Sequence, residues 1–331
     1  MVNRVLITGG CGFIGKNLTA LLVGKGIAVR VYDNLTVGTV ADLQAVANVN
    51  VIQRADDITV PKAGEIQFIK GDILDAGDIH LASNDMDAIV HLAANTGVGP
   101  SVEAPVFDCQ QNVLGTINVL EAARKNNIKK FVFASSGAPA GEVEPPIHEE
   151  IVPKPVSPYG ASKLAGEGYC SAYFRTFEID TVALRFGNVY GPGSGHKSSV
   201  VAKFINRALD QLPLEIYGDG SQTRDFIYID DLVKAIYLGL TVDDIGGEVF
   251  QIATSQETTV REITDIIVDV LNKKSIAVPE VRFTEPRLGD VKRNFSDTRK
   301  ASKKLGWEAK QDLADGVFIT LNDIVDGRSS N

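Results

Sequence analysis

Short runs of β-branched and aliphatic residues recur through the first half of the chain, and they are apolar at consecutive rather than alternate positions. They cover Arg4 to Thr8, Ala28 to Tyr32, Ile66 to Lys70, Ala88 to His91, Lys130 to Ser135 and Thr181 to Leu184. A strand with one wet face alternates apolar and polar residues. An unbroken apolar run instead fits a strand covered on both faces. Between the runs lie amphipathic stretches, of which Asn112 to Arg124 is the clearest. The order β-α-β-α predicts a parallel sheet with helices on both sides. Past about residue 185 the pattern changes. Gly and Pro cluster in Gly187 to Gly195 and again in Tyr217 to Gly220, and strand candidates become sparse. A second, smaller and more irregular lobe is expected there. There is no internal repeat and no low-complexity segment, and only Asp326 to Asn331 reads as a frayed tail.

Composition narrows the partners. The 331 residues suggest about two domains, and 44% hydrophobic with 23% charged residues is the balance of an ordinary soluble protein. A net charge of −9 argues against nucleic acid or an acidic membrane surface as partner. An anionic ligand must then be held by local cations and backbone amides. The three cysteines, Cys11, Cys109 and Cys170, are too few and too scattered for a disulfide framework or a zinc site, so no metal is expected. The first apolar run begins almost at once, which leaves no room for a signal peptide, and no run approaches the roughly 18 residues of a membrane span. The chain reads as cytoplasmic.

Candidate chemistry begins directly after the first run. Gly9-Gly10-Cys11-Gly12-Phe13-Ile14-Gly15 stands between a strand and a helix. Glycines at 9, 12 and 15 allow a tight turn, close approach to a pyrophosphate and close helix-strand packing. The following helix N-terminus adds amides and partial positive charge. Glycines often mark plain turns, but the strand-loop-helix context favours dinucleotide binding. Asp33 ends the second run, 18 positions after Gly15. A carboxylate there can accept both ribose hydroxyls and repels a 2′-phosphate, which favours NAD over NADP. Alternatively it caps a turn before Asn34. Asp72, after the third run, can reach an adenine amino group or sit in a solvated turn. His91 is expected as a packed core histidine.

Tyr159 and Lys163 open a helix after Pro155 and Pro158, and four residues apart they share one face. A free tyrosine, with a pKa of about 10, is a poor base at neutral pH. A neighbouring ammonium and the positive ring of an oxidised nicotinamide favour the phenolate. Such a tyrosinate can take a proton from a sugar hydroxyl while a hydride leaves the same carbon. A Tyr-x-x-x-Lys pair alone is common; with the glycine loop it carries weight.

These motifs, together with His91-Leu92-Ala93-Ala94, Asn112 with Gly115-Thr116, Ser135-Ser136, Leu184 to Pro192, Tyr217 to Asp225 and Arg287 to Asp290, resemble the extended short-chain dehydrogenase/reductases of the NAD-dependent epimerase/dehydratase family over essentially the whole length. The resemblance implies an α/β fold, a Rossmann doubly wound parallel sheet with a smaller α/β substrate lobe. Residues 1–184 and 226–250 would form the cofactor domain, and 185–225 and 251–331 the nucleotide-sugar lobe. It implies Tyr159 as base, Lys163 lowering its pKa and holding the nicotinamide ribose, and Ser136 bonding the reacting hydroxyl. Further cofactor contacts are implied at Phe13, Ile14, Asn34, Asp72, Ile73, Leu92, Ala93, Ala94 and Asn112. On the substrate side the implied contacts are Asn188, Val200, Arg224, Arg287, Asp290 and Asn294. Arg224 and Arg287 match diphosphate clamps, for which an arginine fork is suited. The helices near Asn112 and Tyr159 resemble a four-helix dimer face, implying a homodimer.

Enzymes of this kind first oxidise C4 of the sugar. Dehydratase relatives place Asp-Glu directly after the hydroxyl residue, and decarboxylase relatives a Glu. Here Gly137 and Ala138 stand there. With no carboxylate the keto sugar is left to receive hydride back, so the resemblance is to UDP-sugar 4-epimerases. Pro139-Ala140 replaces the usual Val-Tyr, which widens the pocket or reshapes its wall. Epimerases of UDP-glucuronate often carry an arginine after Tyr-Gly-Pro; here only His196 or Lys197 is available as carboxylate partner. Asn294 stands where a tyrosine restricts relatives to small sugars, so N-acetylated substrates are expected to be tolerated. Alternatives are a UDP-glucuronate 4-epimerase or decarboxylase, a 4-keto-sugar reductase, and a non-catalytic NAD-binding sensor.

Overall fold

A computed structural model of the chain describes residues 1–54, 57–197, 199–285 and 291–329. The apolar runs become β1 (Arg4–Thr8), β2 (Ala28–Asp33), β4 (Ile66–Lys70), β5 (Ala88–His91), β6 (Lys130–Ser136) and β7 (Asp180–Phe186). Two further strands complete the sheet, β3 (Val49–Ile52) and β12 (Glu248–Ile252). All are parallel, in the order β12-β7-β6-β5-β1-β2-β4-β3. The short strands β8 (Asn188–Tyr190), β9 (Leu214–Tyr217), β10 (Thr223–Arg224), β11 (Phe226–Tyr228), β13 (Thr258–Thr259) and β14 (Val281–Thr284) form separate pairs β8–β11, β9–β14 and β10–β13.

Continuous apolarity has the cause it predicts. Val5 and Ile7 belong to the core on one side of the sheet, whereas Leu6 belongs to the core on the other. Val132 and its neighbours Phe131 and Phe133 divide in the same way. Successive side chains point to opposite faces, so both faces demand apolar residues. Arg30 in β2, fully buried, breaks the pattern. Its guanidinium donates to Gln67 Oε1 and to the carbonyls of Ala82, Asn84 and Thr59. Burial lowers its pKa to about 10, and the four oxygen partners make the buried cation tolerable.

From β1 the chain winds outward through β2 and β4, then returns to β5 on the other side of β1 and winds the opposite way. The reversal leaves a crevice at the carboxyl ends of β1 and β5, where an open α/β sheet receives its ligand. Thr8 is in register with both Tyr32 and His91, so the loops that leave these strands share one edge.

Candidate active site

The glycine loop is shaped by close contacts. Gly9 has φ +69°, and a Cβ there would lie 2.7 Å from the Ala93 nitrogen. A Cβ on Gly15 would lie 2.4 Å from Gly10 Cα, so the helix Phe13–Gly24 reaches the loop only because this residue has none. Asp33 fills the turn role open to it from sequence and adds a tie to the glycine loop. One carboxylate oxygen accepts from Leu35 N at 2.8 Å, closing the turn, and the other accepts from Cys11 N at 2.9 Å, tying the glycine loop to β2. Burial raises its pKa, and the two N–H groups act against that rise.

A cavity of about 380 Å³ opens over this loop. On its wall lie the expected cofactor residues Gly9, Gly12, Phe13, Ile14, Gly15, Asp33, Asn34, Ile73, Leu92, Ala93 and Ala94. An amide-rich loop with a carboxylate at its rim and otherwise mainly apolar walls fits a dinucleotide. Asp72, Asn112, Tyr159 and Lys163 are not on the wall. Asp72 accepts from Asn34 Nδ2 at 3.0 Å and from Leu74 N at 2.9 Å. Asn112 is buried and brackets its surroundings: it accepts from Asn95 N and donates to Asn95 O, Asp108 Oδ1 and Ser162 Oγ. Asn95, Thr96, Phe107 and Gln111 line the cavity and escaped the sequence reading. The signal available for Asn95 was its place directly after the His91 to Ala94 motif.

At the reactive end the helix Pro158–Phe177 starts on a Ser157 cap, whose hydroxyl accepts from Gly160 N at 3.1 Å, with Pro158 in the first turn. Tyr159 and Lys163 therefore fall in its opening turns. Lys163 is buried, donates to Ala134 O at 2.9 Å, and lies 5.9 Å from the Tyr159 ring centre. Burial lowers its pKa to about 8, against the charge of Asp108 in particular. Burial pushes the Tyr159 hydroxyl up to about 12, opposed by a hydrogen bond with the Ser136 side chain and reinforced by Asp108. Lys163 is not among the causes of this shift: its ammonium is directed at a backbone carbonyl, and desolvation of the phenolate dominates.

Ser136 ends β6, and Gly137 and Ala138 follow it in a turn; the Ser136 hydroxyl accepts from Ala138 N at 3.2 Å. Asn294 is brought to the same place, because a Cβ on Gly137 would lie 4.0 Å from both ends of its amide. Pro139 and Ala140 are buried. Behind the strand Ser135 donates to Glu167 Oε1 at 2.6 Å, and Arg185 forks onto the same carboxylate with two bonds of 2.8 Å. This buried triad was not read from sequence.

Asn188 and Arg224 adjoin. Asn188 is bonded to the Asp225 carbonyl through its backbone N at 2.8 Å and its side chain at 3.3 Å. Arg224 donates to the carbonyls of Thr223 and Val291. Val200 is the first residue of the helix Val200–Leu209. Arg287 and Asp290 lie outside the described residues. His196 and Lys197, considered above as partners of a sugar carboxylate, line the cavity over the glycine loop. His91 is the core residue expected. It bonds Thr8 at 2.7 Å and Thr116 at 3.0 Å, and burial pushes its pKa down to about 3. Among the described residues no acidic, histidine and cysteine cluster could hold a metal, and no helix is long and apolar enough to cross a membrane.

The sequence profile of the NAD dependent epimerase/dehydratase family matches residues 5–253. The UDP-glucose 4-epimerase of Mycolicibacterium smegmatis is 35% identical over 324 residues, covering 96% of this chain and 97% of that protein. The crystal structure of UDP-glucose 4-epimerase from Thermotoga maritima with UDP-glucose superimposes with a TM-score of 0.87 at 32% identity, over 98% of this chain and 99% of that one. A UDP-N-acetylglucosamine 4-epimerase from Methanobrevibacter ruminantium, in complex with UDP-N-acetylmuramic acid, gives 0.86 at 31%, over 98% and 99%.

Proposed function

The chain belongs to the NAD-dependent epimerase/dehydratase family, and within it we propose that this protein inverts C4 of a UDP-hexose through a transient 4-keto sugar. The observation that carries the choice of reaction is the turn after Ser136. Gly137 and Ala138 bring no acid or base, and the nearest polar group across from Gly137 is the neutral amide of Asn294.

NAD bound in the cavity supplies the hydride acceptor and donor for C4. The glycine loop would hold its pyrophosphate, Asp33 its adenosine ribose, and Lys163 its nicotinamide ribose. Tyr159 is the proton acceptor for the C4 hydroxyl, and Ser136 shares a hydrogen bond with it and steadies the reacting oxygen. A keto sugar that meets no carboxylate keeps its C6 hydroxyl, and turning over in the pocket presents its other face. Arg224 and Asn188 hold the diphosphate, with Val200 beside them and Arg287 and Asp290 completing the nucleotide site. Asn294 leaves room for an acetamido group, so N-acetylhexoses are substrates as well. A uronate is disfavoured, since His196 and Lys197 face the glycine loop rather than the turn after Ser136. A second copy of the chain packs on the face carrying the exposed Val102, Val106, Leu114 and Tyr169, giving a homodimer.

The purified protein, with and without added NAD, is incubated separately with UDP-glucose, UDP-GlcNAc and UDP-glucuronate, and the anomeric protons are followed by NMR. Appearance of the C4 epimer of either of the first two supports the proposal. Absence of inversion in all three overturns it, and a monomer by light scattering overturns the dimer.

A further inference from the structure

We propose that Lys197 is a phosphate ligand of the bound dinucleotide, delivered to the cofactor cavity by the loop 191–197. The inference rests on the reading of the cavity as an NAD site. A pyrophosphate carries negative charge into a protein whose own net charge is −9, and the glycine loop offers only amides. Among the described residues of the cavity wall, the acidic and basic side chains are Asp33, His196 and Lys197. Lys197 Nζ stands 5.7 Å from the ring centre of Phe13, the first residue of the helix that the glycine loop opens.

The loop is fastened to that same helix. Asn17 Nδ2 donates to Pro192 O at 3.3 Å, Gly193 N donates to Asp323 Oδ2 at 2.7 Å, and Lys197 N donates to Ser194 O at 2.8 Å. Gly193 has φ +82°, a conformation that favours glycine, and a Cβ there would lie 2.5 Å from Lys16 Cε, so the loop runs beside the Lys16 side chain. The two lysines then differ in what they face. Lys16 pairs with Asp42 at 3.2 Å, whereas Lys197 has no carboxylate partner among the described residues. Burial alone lowers its pKa. An ammonium drawn out of water beside an anion-binding loop, with no counter-charge of its own, is matched by a phosphate oxygen.

The test compares wild type, K197A, K197R and K197Q, each stripped of nucleotide and checked for an unchanged melting curve. Affinities for NAD, ADP-ribose and adenosine are measured by titration calorimetry at low and at physiological ionic strength. K197A and K197Q should bind NAD and ADP-ribose roughly 10- to 100-fold more weakly, the usual effect of removing a charge-assisted bond. Adenosine, which lacks the pyrophosphate, should bind all four proteins alike. K197R should recover most of the loss, and the salt dependence should be shallower in K197A. The inference is overturned if K197A binds NAD within twofold of wild type, or if adenosine loses as much affinity as NAD. If wild type itself binds neither NAD nor ADP-ribose, the cofactor reading falls first and this inference falls with it.

Discussion

Replacing Glu167 by leucine should destabilise the protein far more than a surface carboxylate would. Glu167 and Arg185 are 5% and 3% exposed, and Glu167 accepts three bonds, one from Ser135 and two from Arg185. Arg185 Nη1 already has no partner among the described residues. Glu167→Leu therefore leaves a buried guanidinium with no counter-charge, at a cost of about 3–5 kcal/mol. Loss of the Ser135 acceptor adds about 1 kcal/mol. Removing both charges together, as Glu167→Leu with Arg185→Met, takes away the uncompensated charge and should return stability to within about 1–2 kcal/mol of wild type. Urea unfolding of wild type, Glu167→Leu, Arg185→Met and the double variant, followed by circular dichroism and extrapolated to water, gives four free energies, and the non-additivity of the changes is the coupling. A single variant that costs under about 1 kcal/mol would refute the reasoning, because the charge would then be hydrated. So would a double variant as unstable as the worse single, since packing and not charge would be at stake.

Tyr159→Phe should lower turnover by roughly 10²- to 10⁴-fold with little change in UDP-sugar affinity, measured by NMR rates and titration. Equal losses in both would place the residue in binding and not in proton transfer. Asn294→Tyr should suppress inversion of UDP-GlcNAc more than that of UDP-glucose, because its amide lies against Gly137; an unchanged ratio of the two rates removes Asn294 from the sugar site. His91 has a folded pKa of about 3, below the 6.5 of an unfolded histidine. The unfolded chain thus takes up the proton first, and stability falls as pH drops from about 6.5 towards 3, by up to about 1.4 kcal/mol per pH unit from this group. His91→Gln should flatten that dependence in unfolding curves at graded pH. A slope identical to wild type would mean that His91 is charged in the folded state.

What was legible in the sequence followed the strength of the local signal. Strands β1, β4 and β5 match their apolar runs end to end, because burial on both faces leaves no other pattern. β3 escaped notice. It is a half-exposed edge strand, Val49-Asn50-Val51-Ile52, whose mixed pattern resembles a loop. β12 was hidden for another reason: it joins β7 only after a long excursion, and nothing local marks that partner. At the site, the glycine loop and the Tyr-Lys pair were readable because spacing alone creates their geometry. The bracket of Asn95, Asp108 and Asn112, and the triad behind β6, depend on contacts between distant segments. Arg30 shows the limit most plainly. A charge in a buried strand contradicts the pattern unless its oxygen partners, which are 29 to 54 positions away, are already in place.

The two serines that end β6 show how the fold sorts charge around the proposed reaction. Neighbours on a strand point to opposite faces. Ser135 turns inward to Glu167, while Ser136 turns to Tyr159. Near this edge Glu167 and Asp225 have both carboxylate oxygens bonded, whereas Asp108 has one bonded and its Oδ2 has no partner among the described residues. Glu167 is neutralised by Arg185. Asp108 is buried and accepts from Asn95 and Asn112. Asp225 is buried and accepts from Thr254, Ser255 and Ser296. Neither Glu167 nor Asp225 is offered as acid or base beside Ser136. Hydroxyls and an amide remain there, from Ser136, Tyr159 and Asn294. A wall of that kind can pass one proton to and from C4 but has nothing with which to expel a C6 hydroxyl. The pairing of Glu167 and Asp225 away from Ser136, as much as the Tyr-Lys pair itself, is what supports the proposed inversion.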